Sequence, residues 1–489
     1  MESKCKHEQS AQAACLVRAG LKTCVFLPGD LEYQTSIGSY FSNTAKLAPA
    51  CVFIPESTEQ ISRAVKALVA AKEKFAIRSG GHAPLSAANN IQNGVTIDLS
   101  QLNNIQYDAE SKLVTFGPGV RWKHIYHELQ KHERVVAGGR EGETGVAGFL
   151  LGGGNTWFTA QKGFGCDNVV SYDIVLADGQ IITAKQGLNA DLFRALKGGS
   201  NNFGIVVSFT MNTISCQNIW GGGMTVSKQY SADVIRATVN FTTNLTKFPD
   251  SSLISVISYN PQVKDIIVGG ALVETRGVKD APAFAEWFKL PKIMDTTKSK
   301  SILDMGLETA LPYNLYDTWL TLTIKNDTRI MSKAAEVHDT LVEELRSYIP
   351  EGDFITQCLF QPLPMTFAKH SVAIGGNVMG IERNKSDGLI WQLNAMVKTA
   401  DQNDFAYAKV KAGVKAIKEF AGSVERGLLD WIYLNYADRS QDPLGSYGAE
   451  NLRLLKEVAA RYDPGGVFQT LCPGGFKLPV TDLDGAITE

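Results

Sequence analysis

Two glycine-rich loops constrain this chain more than any other feature of its sequence. The first, Arg78-Ser79-Gly80-Gly81-His82, follows Lys74–Arg78 (KFAIR), which reads as a short strand. Adjacent glycines allow positive φ and let backbone N–H groups converge on a phosphate with no Cβ in the way. The second loop runs through Gly138-Gly139-Arg140 and Thr144-Gly145-Val146-Ala147-Gly148 to Leu151-Gly152-Gly153-Gly154. Three consecutive glycines bring a chain close to something bulky and anionic, and a dinucleotide pyrophosphate meets that description. Either loop alone could be a flexible turn; the two together, with the segments that follow, argue for a bound dinucleotide. No G-x-G-x-x-G stands between a strand and a helix, so a Rossmann site for NAD is not expected.

The remainder is ordinary for a soluble globular protein of two or three folding units. It has 489 residues, 44% of them hydrophobic and 20% charged, with net charge −2 and no long run of one sign. No nucleic-acid or membrane partner is expected from that balance. No stretch approaches the roughly 20 apolar residues that span a bilayer. The opening MESKCKHEQSAQAACLVRAG lacks the apolar core of a signal peptide. Four sequons, at Asn240, Asn244, Asn326 and Asn384, point the other way, so the compartment stays open between intracellular and secretory. Eight scattered cysteines form no CxxC pair, and no metal site is expected. Three lie within the first 24 residues, where a disulfide could tie down the N-terminal segment; Cys15 with Cys51 is the preferred pair.

Helix and strand alternate from residue 50. Ser57-x-x-Gln60 is a capping-box pattern, followed by Ile61, Val65, Leu68 and Val69 on one helical face. Strands are expected at Val95–Leu99, Leu113–Phe116 and Ile205–Met211, and an amphipathic helix from near Val120 carries Trp122, Ile125, Tyr126 and Leu129. Asp178-Gly179 predicts a type I′ hairpin between Tyr172–Ala177 and Gln180–Thr183. Past residue 213 the texture changes to β-branched runs at Leu253–Ser258, Ile266–Val273, Trp319–Ile324 and Leu389–Val397, with helices near 231–246, 279–288, 332–347 and 402–421. This predicts a second α+β domain, one antiparallel sheet with helices over one face. Glycine and tyrosine return after residue 425. The boundaries expected are 1–212 and 213–425, with 426–489 folding back onto the first part.

RSGGH, GVAGFLLGGG, GCDNVVSYDIVLADG and LKGGSNNFGIVV, with LNYADRSQDPLGSYG and AARYDPGGVFQTLCPGGF in the tail, resemble a known family. They look like the FAD domain of the p-cresol methylhydroxylase and vanillyl-alcohol oxidase type, in its berberine bridge enzyme-like branch and particularly its fungal FAD-linked oxidoreductases. The likeness covers about residues 40–212 and 430–478; the middle resembles the family only in texture. It implies an α+β fold with a two-part FAD-binding domain, and a flavin bonded through its 8α-methyl carbon to His82. Some members add a bond from a cysteine in the second loop. Here Glu141 aligns with that cysteine and no cysteine lies between 52 and 165, so a single attachment is expected.

The resemblance further implies cofactor contacts from Arg78, Ser79, Gly80, Gly81, Gly139, Gly145, Gly148, Gly152, Gly153 and Gly154. It extends them through the backbone around Asp167, Asn168, Val169, Gly204 and Val206. Thr144 aligns with a position that gates oxygen, although a plain structural role fits it equally. Tyr433-Leu434-Asn435-Tyr436 matches the family's Tyr-x-Asn-Tyr, in which the second tyrosine is a base near flavin N5, so the resemblance implies Tyr436 and Tyr433 as catalytic residues and Tyr433 and Asn435 as cofactor contacts. As a strand it would put Tyr433 and Asn435 on one face and Tyr436 on the other, so a bend is needed for all three to reach the flavin. Gln392 and Asn394, with Tyr313 and Trp319, are candidate substrate-wall residues. The expected reaction is hydride transfer to flavin N5 and reoxidation by O₂ to hydrogen peroxide, as a tailoring step on a polyketide, alkaloid or similar scaffold. The alternatives are oxidation of a carbohydrate at its anomeric carbon and a cyclisation with no net redox change. A small-molecule substrate and a monomer or homodimer are expected.

Overall fold

The structure, a computed structural model, describes residues 10–479, so Cys5 lies outside the described residues. The helix Thr58–Ala71 starts where the capping residue predicts, with Ser57 Oγ accepting from the Gln60 amide. The Gln60 side chain does not close the box on Ser57; it accepts from the Glu56 amide instead. Ile61, Ala64, Val65 and Leu68 are buried by this helix. They lie over a small sheet ordered Val25–Phe26, Cys51–Phe53, Val95–Asp98, Phe75–Arg78, whose last three strands are parallel. A second sheet, wholly antiparallel, orders Ile105–Asp108, Leu113–Phe116, Ile205–Asn212, Val169–Val175 and Ile181–Lys185.

Two local expectations fail. Gly179 has φ 79°, but Asp178 is not left-handed as a type I′ turn requires. The Gly179 amide bonds Leu176 O and the Leu176 amide bonds Gln180 O, so the hairpin closes with a glycine bulge. Cys15 and Cys51 are both free and buried. Thiols of that kind pack as small apolar side chains.

The larger sheet has nine strands, all pairs antiparallel. Its path runs Lys292–Asp295, Ile219–Ser227, Asp265–Glu274, Ser251–Asn260, Phe354–Leu363, Gly388–Val397, Tyr316–Lys325, Leu428–Leu429, with Lys298–Lys300 also paired to Ile219–Ser227. The helices Ser231–Asn244, Thr328–Arg346 and Ala400–Ser423 cover one face. On that face Cys358 Sγ reaches Ala334 O, His338 Nε2 pairs with Thr356, and Thr238 pairs with Ser255. Strand alternation then assigns the opposite face its side chains: Asp317, Trp319, Gln357, Gln361, Gln392 and Asn394. The helix expected over 279–288 shrinks to a 3₁₀ turn, Pro282–Phe284, and one helical turn, Ala285–Phe288.

The tail returns to the first part. Leu471 O accepts from the Phe75 amide, Phe468 sets its ring edge against Phe75, and Asn201 and Asn202 donate to Gly474 O and Phe476 O. Leu428–Leu429, by contrast, still belongs to the larger sheet through Thr323 and Ile324.

Candidate active site

The two glycine loops touch each other. A Cβ at Gly80 would lie 2.6 Å from Gly145 Cα, and one at Gly145 would lie 2.5 Å from the Gly80 nitrogen. No larger residue fits at either position without moving backbone. Gly81 takes φ 66°, which turns the chain so that His82 leaves the strand axis. Arg121 spans the junction, donating to Gly80 O, to Glu143 O and, at 3.1 Å, to the Tyr313 hydroxyl.

His82 is held on three sides. Its ring stacks on Phe41 at 4.3 Å and 10°, Tyr313 stands edge-on at 6.3 Å, and Nε2 lies 2.8 Å from Glu141 Oε2. At that distance the two groups are in close contact, but the geometry is not that of a hydrogen bond. Thr144 Oγ1 donates to the same oxygen at 2.5 Å, and the Glu143 amide to the other. Burial works to raise the Glu141 carboxyl, but His82 and Thr144 beside it hold it below the usual carboxylate range. The hydroxyl of Thr144 is therefore committed to Glu141.

A second cluster joins loop, sheet and tail. Leu434–Tyr436 is a 3₁₀ turn rather than a strand, so the chain bends here. In a 3₁₀ turn residues three apart eclipse, and the Tyr433 and Tyr436 rings meet edge to face at 4.8 Å. Tyr436 Oη accepts from Arg140 at 2.8 Å and from Gln361 Nε2 at 3.2 Å. Arg140 also donates to Gln361 Oε1 at 2.6 Å and is nearly buried. Trp319 stands edge-on to Tyr436 and reaches Phe41 on its other side, which connects this cluster to His82. Tyr433 is placed differently. Its hydroxyl accepts from the Asn155 amide at 2.6 Å, and burial, with Tyr436 beside it, pushes its phenol well above the usual range. It stays neutral and holds the loop that follows Gly154. Asn435 donates to Phe149 O, and its Oδ1 fills the space a Cβ on Gly152 would need.

Other expected cofactor residues spend their side chains on the scaffold. Arg78 pairs with Asp98 at 3.5 Å, donates to Ser36 and Ser39, and lies over Tyr40. Ser79 Oγ donates to Pro118 O. Asp167 accepts from the Phe164 amide and from Asn377, and Asn168 donates to Lys162 O and Phe164 O. Val169 and Val206 lie in the antiparallel sheet, Gly204 packs against Val175 O, and Gly139 against Trp122. Beyond Arg78 Nε, which has no partner among the described residues, mainly backbone is left to them for binding a ligand. Gly148 is different: nothing lies within 4 Å of the place its Cβ would take.

On the sheet face opposite the loops, buried polar atoms lack partners among the described residues: Gln392 Nε2, Asn394 Oδ1, Trp319 Nε1, both oxygens of Asp317, and, from the tail, Asn435 Oδ1. Such atoms are costly unless something polar meets them. Sequence reading named Gln392, Asn394 and Trp319; it missed Asp317, Gln361, Arg140 and Phe41. Period-two alternation along Tyr316–Lys325 and Phe354–Leu363 was the available signal for Asp317 and Gln361.

Asp317 carries a stability prediction. Burial pushes its carboxyl from an ordinary 3.8 to about 7, against a small opposing effect of Ser42. The folded state then favours the neutral acid, so its contribution is fully present below pH about 4 and is lost as pH rises through about 7. At 1.36 kcal/mol per pKa unit the gap is worth about 4 kcal/mol. Asp317→Asn should melt several degrees higher than wild type near pH 8 and almost level with it near pH 4. An equal difference at both pH values in thermal melts would refute the assignment.

Among the described residues no helix is long and apolar enough to cross a membrane, and no group of His, Cys, Asp and Glu could hold a metal ion. A family model described as an FAD binding domain matches residues 49–185. The FAD-dependent monooxygenase drtC of Aspergillus calidoustus is 36% identical over 97% of this chain and 92% of its own length. The bifunctional solanapyrone synthase of Alternaria solani is 31% identical over 97% of this chain and 90% of its own. Among solved structures, the glucooligosaccharide oxidase of Acremonium strictum, described with a 6-S-cysteinyl, 8α-N1-histidyl FAD, superposes with TM-score 0.74 at 21% identity, covering 94% of this chain and 98% of that one. The residues present fit an FAD: two abutting glycine loops on one side, and buried unpartnered polar atoms on the facing sheet and tail.

Proposed function

This chain belongs to the FAD-linked oxidoreductases, and from that premise we propose that it is an oxidase tailoring a small secondary metabolite, with its FAD bonded once, through His82. The observation that carries the reading is the Tyr436–Arg140–Gln361 cluster, built where the glycine loop, the substrate sheet and the tail meet. Bound FAD supplies an acceptor for a hydride and a route for its two electrons to O₂, giving hydrogen peroxide. The chain's own residues handle the proton. Tyr436, acting as its phenolate, takes it from a substrate O–H or N–H and becomes the phenol, and the Arg140 guanidinium at 2.8 Å, with Gln361, stabilises the phenolate that this step requires. Gln392, Asn394 and Asp317 present polar groups to the substrate's own, and Trp319 and Tyr313 supply aromatic walls. The loops 78–82 and 138–154 hold the pyrophosphate and ribityl chain with backbone N–H groups.

The names of the relatives support a metabolite scaffold over a sugar. Glu141 at the cysteine position supports a single flavin bond, unlike the doubly linked glucooligosaccharide oxidase. The test is to add aromatic alcohols, phenols and alkaloids, and separately oligosaccharides, without oxygen and follow the yellow absorbance. Bleaching by the aromatic panel, with peroxide released on admitting air and a product lighter by two hydrogens, is the expected result. Peroxide from oligosaccharides alone refutes the substrate class. A product heavier by one oxygen atom makes the enzyme a monooxygenase, and one of unchanged mass makes it a cyclase.

A further inference from the structure

We propose that Glu141 is the positioning residue for the flavin bond, orienting His82 so that Nδ1 is the nucleophile. The inference rests on the covalent reading above and concerns how this chain forms that bond without any second attachment. Of the two ring nitrogens, Nε2 faces the Glu141 carboxylate at 2.8 Å and has no other partner among the described residues. A carboxylate beside one imidazole nitrogen keeps the proton there and leaves the lone pair on the other. Phe41, stacked on the ring face, and Tyr313 at its edge limit rotation away from that orientation. Glu141 is in turn held by Thr144 and the Glu143 amide, one on each carboxylate oxygen.

The reaction balances with what the reading already supplies. Nδ1 bonds to the 8α carbon while a C–H bond there breaks. The proton leaves to solvent and the electron pair of that bond remains on the flavin, which is thereby reduced. O₂ takes the two electrons and becomes hydrogen peroxide. Alkylation at Nδ1 with Nε2 still protonated makes the imidazole cationic, and the Glu141 carboxylate neutralises that charge as it develops. A cysteine at position 141 could not do this at neutral pH with an ordinary thiol. Glutamate there serves the first bond instead of making a second.

The test uses purified full-length protein incubated with FAD and quenched in acid at intervals, with flavin in the pellet counted as covalent and total flavin measured before the quench. Glu141→Gln keeps size and an acceptor oxygen but removes the charge. It is expected to bind FAD at wild-type stoichiometry while forming the covalent adduct about a hundredfold more slowly. Glu141→Asp should recover part of the rate, and mass spectrometry should find the adduct on the His82 peptide. Wild-type kinetics in Glu141→Gln overturns the proposal. So does loss of total FAD binding together with an altered circular dichroism spectrum, which makes Glu141 a scaffold residue only. If wild-type protein itself gives up all its flavin to acid, the covalent reading has failed, a result separate from either.

Discussion

His82→Ala should leave a colourless pellet after acid precipitation, with all of the flavin in the supernatant. The expectation is total rather than partial because the second loop offers no thiol: residue 141 is glutamate, and no cysteine lies between 52 and 165. The substitution also removes the ring stacked on Phe41 and leaves the Glu141 carboxylate, mostly buried, without the imidazole that faces it. An uncompensated carboxylate next to the flavin disfavours its electron-rich reduced form, so substrate-driven bleaching should slow as well. The fold should survive, because Gly80, Gly145 and Arg121 make the loop junction without His82. Colour remaining in the variant's pellet would place the attachment on another residue. Wild-type colour moving wholly to the supernatant would remove the covalent bond from the account.

What could be read in advance divides by the range of the interactions. The glycine loops, the Ser57 cap and the apolar face of Thr58–Ala71 are written in neighbouring residues, and local chemistry determines them. The Tyr436 cluster is not local: Arg140 lies 221 positions from Gln361 and 296 from Tyr436. Its position depends on which sheet face looks toward the loops. That follows from register, which is decided by helices such as Thr328–Arg346 burying Cys358 and Phe360 on the opposite side. The strand Phe354–Leu363 escaped notice because glutamines interrupt its apolar run and Pro362 reads as a terminator, yet those glutamines are what it brings to the site. Ile219–Ser227 hid behind Gly221-Gly222-Gly223, which look like loop. The hairpin at Asp178-Gly179 shows the opposite error: one left-handed glycine satisfied a bulged turn where the dipeptide pattern implies two left-handed residues.

Tyr436→Phe and Tyr433→Phe form a pair whose outcomes should separate catalysis from support. The two hydroxyls sit on adjacent rings but are wired differently. Tyr436 Oη meets a guanidinium and an amide that stabilise charge, whereas Tyr433 Oη accepts the buried Asn155 N–H. Removing the Tyr436 hydroxyl takes away the proposed proton acceptor, so kcat should fall about 10²- to 10⁴-fold with flavin content and melting temperature near wild type. Arg140 keeps Gln361 Oε1 as a partner in that variant, which limits the structural damage. Removing the Tyr433 hydroxyl strands a buried amide instead, at a cost of about 1–3 kcal/mol in stability and a much smaller change in rate. Stopped-flow measurement of anaerobic flavin reduction reads the rates, and thermal melts read the stability. A large rate loss in Tyr433→Phe with little in Tyr436→Phe would reverse the two roles. Equal, small effects in both would leave proton removal to solvent or to Asp317, an unpartnered carboxyl group on the facing sheet.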